Sequence, residues 1–356
     1  MNTTRRISPR RYRLAATLTA LLAILGCGDD VTSPRGPETE AAAASLAQAP
    51  NTWISRAPAP YSSNVGFSSA AAVNAAGQWF AYTFGGRDDP TDGDEGGRSR
   101  RTTRYNVQTN TWSWQDINSL VESSDMNGVG KIGNKFYMTG GYASCCSTDI
   151  GIWNSLWVYD IGANKQTQKA DMPRATQFGQ TGVIDNKLYV LAGYCSSSDP
   201  GRCTGGIPQV RQFYRYDPTT NTWIIRRQPP HFHTQGAGAV INGKFYVVGG
   251  NPGFTSGSGT ELDVYDPVTN TWTTKAPIPT GGAQFSAAVI QNRMFVIVAS
   301  QMNASAVIKA YSYDPVANTW KSRAAPPVFE QIVRVQLDGQ PRLFLPASPS
   351  SYLYAP

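Results

Sequence analysis

The sequence predicts an all-β fold: a six-bladed propeller, closed by pairing an N-terminal strand with the C-terminal blade. Three observations predict it. A phrase recurs along the 356 residues, as YRYDPTTNTW at Tyr214 to Trp223, VYDPVTNTW at Val264 to Trp272 and YSYDPVANTW at Tyr311 to Trp320. Apolar strands ending in paired small residues recur ahead of such phrases, as FAYTFGG from Phe80, KFYMTGG from Lys135 and KFYVVGG from Lys244, with weaker copies ending at Gly193 and Ser300. The unit is about fifty residues long, and self-similarity at such a period marks an array of one supersecondary module.

The order apolar strand, diglycine, variable stretch, Tyr-Asp-Pro and Asn-Thr-Trp resembles the kelch repeat, over residues 51–356. Each part has a physical use. Glycine lets inner strands crowd together where a side chain would clash. Tyr and Trp offer large apolar faces to fill the wedge between blades. Asp-Pro followed by Asn reads as the turn between third and fourth strands.

Taken from the N-terminus, residues 1–26 read as a signal peptide. Arg5, Arg6, Arg10, Arg11 and Arg13 precede an apolar run from Leu14 to Gly26, which is too short to span a bilayer. Ile24-Leu25-Gly26-Cys27 resembles a bacterial lipobox, which implies cleavage and lipidation of Cys27; an ordinary signal with an incidental cysteine is the alternative. The pair Arg10-Arg11 also fits a folded-export route. Residues 27–50 mix Pro, Gly, Ala and charge without period and read as a flexible tether. Residues 51–356 form the propeller. Five complete units end near Trp112, Gln166, Trp223, Trp272 and Trp320; the second carries Ile161 and Gln166 in place of Pro and Trp, and should fit less well at its outer edge. A sixth starts at Ile332 and stops where Asn-Thr-Trp is due, and that piece lies at the other end as Asn51-Thr52-Trp53. Closing the ring removes exposed strand edges, so residues 51–58 are expected to add the fourth strand.

Export changes what the charge means. The chain holds 31 Lys and Arg against 24 acids, and 26 against 24 once the five signal arginines leave. With no basic stripe and no recognisable module, nothing points to nucleic acid. After Cys27 the cysteines are Cys145, Cys146, Cys195 and Cys203. Disulfides are permitted outside the cytoplasm. Cys195 and Cys203 flank a turn-rich stretch suited to a local bridge, while cross-blade pairing stays open.

Function is expected on one face. In a four-stranded meander, the second-to-third loops emerge beside the connections between blades. Those loops are long and unlike one another, starting at Arg87, Tyr142, Tyr194 and Asn251, whereas the opposite face carries short turns such as Asp185-Asn186, Asn242-Gly243 and Asp338-Gly339. Length and variability on a rigid scaffold mark binding loops. Aligning the first strands sets Arg174 opposite His231 and Thr176 opposite His233, with Asp125, Gln284 and Glu330 near the same level. Arg87, Tyr142, Asn251 and Gln301 follow the small-residue pairs and should ring the same opening, as should Tyr194 after Gly193. Such a polar and aromatic mouth suits a sugar or peptide; a merely solvated rim is the plain alternative.

Metal and cofactor are not expected. His231 and His233, the only histidines, can point the same way on an extended strand, but spacing supplies no third ligand. Asp88, Asp89, Asp92, Asp94 and Glu95 crowd one loop, yet Pro90 and Ser99 stand where a calcium loop needs oxygen ligands. Nearby Arg98, Arg100, Arg101 and Arg104 can neutralise those acids. No nucleophile elbow, phosphate loop or zinc-hydrolase motif appears. The kelch resemblance implies protein-binding modules, copper oxidases or a sialic-acid mutarotase; the oxidase needs a copper site that is not evident here, and the mutarotase only an acid or base by a sugar pocket, for which Glu330, Asp125 and Arg174 are candidates. Fold cannot choose among these. The expectation is therefore a monomeric, exported binding module for a protein or glycan, lipid-anchored to a bacterial membrane (outer membrane or cell surface) and touching membrane only through its anchor. A sugar-active enzyme and a structural envelope protein are the alternatives.

Overall fold

The ring is closed by its two ends. A computed structural model describes residues 48–60, 68–85, 102–115, 126–143, 151–195, 210–250, 259–301 and 305–356; the expected signal peptide, Cys27 and most of the tether lie outside them. Thr52–Arg56 pairs antiparallel with Ser351–Ala355, from Thr52 opposite Ala355 to Arg56 opposite Ser351. It thereby becomes the outer strand of a sheet whose other members are Gln340–Leu345 and Val333–Leu337.

The other five blades follow in chain order, each an antiparallel meander running outward from its first strand. They comprise Ser68–Val73, Trp79–Phe84, Thr102–Asn106 and Thr111–Gln115; Val129–Ile132, Lys135–Thr139, Leu156–Asp160 and Lys165–Lys169; Gln180–Ile184, Lys187–Leu191, Phe213–Asp217 and Thr222–Arg226; Ala237–Ile241, Lys244–Gly250, Gly259–Asp266 and Thr271–Lys275; and Gln284–Ile290, Arg293–Ala299, Ile308–Asp314 and Thr319–Arg323. A short ribbon, Tyr142–Ala143 with Gly151–Ile152, ornaments the second blade. The first turns adopt the left-handed conformations hairpins favour, as at Asp185 and Asn186 (φ 49° and 56°) or Asn242 and Gly243 (49° and 73°).

The repeated Tyr, Asn and Trp act as one device. Tyr105, Tyr159, Tyr216, Tyr265, Tyr313 and Tyr354, one per blade, are fully buried. Each donates its hydroxyl to an Asn Oδ1 at 2.7–2.9 Å: Asn110, Asn164, Asn221, Asn270, Asn318 and, across the termini, Asn51. These asparagines sit at φ 48–57°, a conformation Asn tolerates better than most residues. In five blades the Asn and Trp together grip one residue of the preceding blade. Asn318 accepts from the Ala276 N–H at 2.9 Å, and Trp320 donates to the Ala276 carbonyl at 2.8 Å. Ala57, Ala170, Arg227 and Ala324 are gripped in the same way. Two such bonds contribute about 1 kcal/mol each. The second blade lacks the Trp, and Gln166 there leaves its Oε1 buried without a partner.

Aromatic rings complete the wedges. Phe344 stacks on Tyr105 at 4.2 Å, and Phe295 lies against Tyr354 at 4.7 Å. The diglycine of the fourth blade has a more local reason than crowding at the axis. Gly249 and Gly250 have φ of 65° and 109°; a Cβ on Gly249 would come within 2.3 Å of the Phe285 ring, and one on Gly250 within 2.7 Å of the His233 backbone. Among the described residues there is no helix, and so none long and apolar enough to cross a membrane.

Candidate functional site

The innermost strands begin at one end of the axis, and there all six blades border a single open cavity of about 540 Å³. Its wall is assembled from the residues at and just before each first strand: Ser68 and Ser69, Asn127 to Val129, Phe178 to Thr181, Gln235 to Gly238, Gln284 and Phe285, and Pro327 to Ile332. Gln301, Ala306 and, at the start of its third strand, Ile308 are added by the fifth blade. The volume falls within the range of small-molecule sites, about 300–1,000 Å³.

Several of the wall's polar side chains are already engaged in holding blades together. Asn127, fully buried, accepts from the Gly179 N–H at 3.0 Å and donates to Thr176 Oγ1 at 2.9 Å. Gln180 Nε2 donates to the His233 carbonyl at 2.7 Å, tying the third blade to the fourth. Gln331, also on the wall, accepts at 3.3 Å from the hydroxyl of Ser286 behind it, which itself accepts from the Ile332 N–H at 2.9 Å, tying the fifth to the sixth. Others are spare. Gln301 donates, among the described residues, only to the Ser305 carbonyl, at 3.1 Å. Among the described residues, neither the Gln284 amide nor the Glu330 carboxyl has a hydrogen-bond or ion-pair partner. Burial raises the Glu330 carboxyl well above the usual carboxylate range, because no cation or donor stabilises its charged form. It is also the only titratable group among the described lining residues.

Of the residues singled out in the sequence, Gln284, Gln301 and Glu330 therefore meet on the cavity wall. Arg174, Tyr142, Tyr194, His231 and His233 do not line it. Arg174 lies beside Tyr214, whose hydroxyl is pushed up by burial against the opposing pull of that guanidinium. Arg174 Nη1 is also 4.0 Å from the Cys195 sulfur. Tyr194 forms a backbone bridge with Gln177, and Tyr142 starts the ribbon of the second blade. Cys195 is 1% exposed and disulfide-bonded. Its expected partner Cys203 lies outside the described residues, as do Cys145, Cys146, Arg87, Asp125, Asn251 and the acidic loop from Asp88 to Glu95.

The two histidines serve the interior. Asp263, fully buried, accepts from His231 Nδ1 at 3.0 Å, His233 Nε2 at 3.1 Å and Thr274 Oγ1 at 2.7 Å. His233 Nδ1 faces the Gly249 carbonyl at 2.7 Å. Both ring nitrogens of His233 thus face acceptors, and its side chain has no exposed surface. Burial alone would raise the Asp263 carboxyl; bonds from His233, Thr274 and His231 outweigh it and hold it below its ordinary value. Among the described residues there is no group of three or more ligands placed to hold a metal.

Sequence reasoning missed Asp263, although a signal was present. Counting back from the buried Tyr, the other five blades carry Thr103, Trp157, Tyr214, Tyr311 and Tyr352 at that position, so a carboxylate there is the exception. It also missed Asn127 and Gln180, whose roles depend on the neighbouring blade's backbone.

Comparison with known proteins gives a family match over residues 129–327, to the KLHDC2/KLHL20/DRC7 Kelch-repeats domain. The chain is 24% identical over 152 residues to Kelch repeat and BTB domain-containing protein 12 of Homo sapiens, covering 41% of this chain and 23% of that protein. It is 30% identical over 154 residues to Kelch-like protein 38 of Rattus norvegicus, covering 42% and 22%. The chain thus spans under a quarter of the length of these curated relatives. Among solved structures, one titled "Structure of YjhT" superposes with a TM-score of 0.60 at 12% identity, over 83% of this chain and 95% of that one. At that identity the likeness concerns the fold alone.

Proposed function

The chain belongs to the kelch-repeat family, and from that premise we propose that it is an exported binding module, lipid-anchored through Cys27 to a bacterial membrane, that holds a protein or carbohydrate ligand at the axial mouth of its propeller. The observation that carries the binding reading is the single cavity bordered by all six blades, with Gln284 and Glu330 unpaired on its wall. Polar groups left unsatisfied at a concave, preformed site are what a ligand can complete. The anchor reading rests on the arginine-rich start, the apolar run from Leu14 to Gly26 and Ile24-Leu25-Gly26-Cys27.

Probing the purified full chain against glycan and peptide arrays tests the module. Bound ligand should be lost on Gln284→Ala and kept on Thr269→Ala, a change in a turn of the opposite face where the Thr269 hydroxyl pairs with that of Thr271. Sensitivity of the turn rather than the cavity would overturn the assignment. A sugar-active enzyme is a second reading, favoured by the raised carboxyl of Glu330. Acid–base turnover generally calls for a second proton-transfer group, and the described wall offers none, so binding is the reading we adopt.

A further inference from the structure

We propose that the axial cavity selects an uncharged sugar, either free or as the end of a glycan, with Glu330 acting as a hydrogen-bond donor to a ligand hydroxyl. The inference rests on the binding-module reading and names the ligand class for that same site. It starts from what the described residues of the wall lack. No Arg, Lys or His is among the described lining residues, so a carboxylate, sulfate or phosphate would surrender its hydration without gaining a counter-charge. What the wall offers instead is neutral polarity. The Gln284 amide supplies two donors and an acceptor, all unpaired within the protein, and Gln301 adds a second amide. Sugar hydroxyls, each donor and acceptor at once, match amides in both directions.

Glu330 completes the set. It is half-buried and shares its stretch of the wall with Val328, Phe329 and Ile332, apolar residues of its own blade, and burial disfavours its charged form. Every element bordering the cavity contributes neutral groups to the described wall: Ser68 and Ser69 from the first blade, Asn127 from the second, Gln180 from the third, Gln235 from the fourth, Gln284 and Gln301 from the fifth. Nothing there draws Glu330 toward ionisation, and its raised titration keeps a proton on the carboxyl into the range where ordinary glutamates have lost it. A protonated carboxyl donates one bond and accepts another, as a hydroxyl ligand requires. Phe178 and Phe329, half-buried on the wall, add apolar surface for the C–H side of a sugar ring, whereas the Phe285 ring is buried against Gly249.

The test is a binding titration of the purified full chain against neutral mono- and oligosaccharides, their uronate or sialylated counterparts, and amino sugars, across pH. Neutral probes should bind, and affinity should fall as pH rises through the Glu330 titration. Glu330→Gln should keep affinity within about threefold and abolish the pH dependence. Glu330→Ala and Gln284→Ala should each lose at least about tenfold without a drop in melting temperature. Binding of monosaccharides points to a free sugar, and binding of oligosaccharides alone to a glycan end. If acidic probes bind best, if amino sugars bind best and more tightly at higher pH, or if Glu330→Gln is as damaged as Glu330→Ala, the neutral-sugar inference falls while the binding module stands. If no neutral probe binds but a peptide does, and Gln284→Ala releases it, the sugar class alone is overturned. Probes that bind with no response to either cavity substitution overturn both.

Discussion

The indole of Trp53 donates to the carbonyl of Ala324, 271 residues further along, at 2.9 Å. Asn51 takes the N–H of that same Ala324, also at 2.9 Å. The grip that five blades use to hold their predecessor is here assembled from opposite ends of the chain, so the last seam matches the other four that carry it.

Removing that indole tests closure. Trp53 also lies 4.9 Å from Tyr354 and 6.4 Å from Phe295, so Trp53→Ala should cost about 2 kcal/mol or more. Deleting residues 51–57 should cost more, since the sixth blade then ends in an unpaired edge. Urea unfolding measures both, and an unchanged midpoint after the deletion would remove the closure account.

The asparagines can be tested apart from their backbone conformation. Asn318→Gly keeps the left-handed φ of 54° accessible but orphans the Ala276 N–H and the Tyr313 hydroxyl. The expected loss is about 1–3 kcal/mol. Asn318→Ala should lose more, because alanine resists that φ.

The second blade invites repair. Gln166→Trp would replace a buried, unpartnered oxygen with the residue its sister blades use. We expect a gain of about 1 kcal/mol or more, read from the denaturation midpoint; a loss would mean that this edge has closed around glutamine.

Two carboxyls should give opposite pH dependences. The folded pKa of Glu330 is raised, so its contribution is intact below the unfolded value and stability is lost as pH climbs through the folded one. Glu330→Gln should therefore melt with the parent in acid and about 2 °C or more above it at high pH. The folded pKa of Asp263 is lowered, so its contribution is present above the unfolded value and lost as pH falls through the folded one. Asp263→Asn should cost about 3–5 kcal/mol near neutrality, and less in strong acid. Melting curves across pH that run parallel for parent and variants would contradict both assignments.

The anchor is tested by labelling. Cys27→Ser should abolish incorporation of radiolabelled fatty acid and move the protein out of the detergent phase, with the propeller's melting point unchanged. Membrane retention of that variant would point to an uncleaved signal instead.

The blades were legible because their repeated residues do repeated work. Tyr, Asn and Trp recur wherever one blade must hold the next, and the place where the pattern fails, Gln166, is where an orphaned atom appears. The cavity was legible only in part. Gln284 and Glu330 could be placed near the level of the mouth, though not in strict register, since they precede or begin first strands. Asn127 and Gln180 occupy similar positions, but their engagement with Gly179 and His233 depends on how adjacent blades are set. His231 and His233 drew attention by being rare, and rarity carries no direction. Their side chains turn toward Asp263, a charge on the third strand that only a comparison across the six blades would have exposed.

The outer strand Thr52–Arg56 also sets how the molecule bears force. It lies alongside Ser351–Ala355, with five residue pairs in register, and the chain turns at residues 50–51 just before it, with Asn51 at φ 57°, so tension applied at residue 48 acts on that turn first and then on those pairs. In the anchored protein proposed above, any drag on the propeller reaches the membrane through this strand. A seam built from the two termini would then be the point where mechanical failure begins, and single-molecule pulling from residue 48 should find its first rupture there.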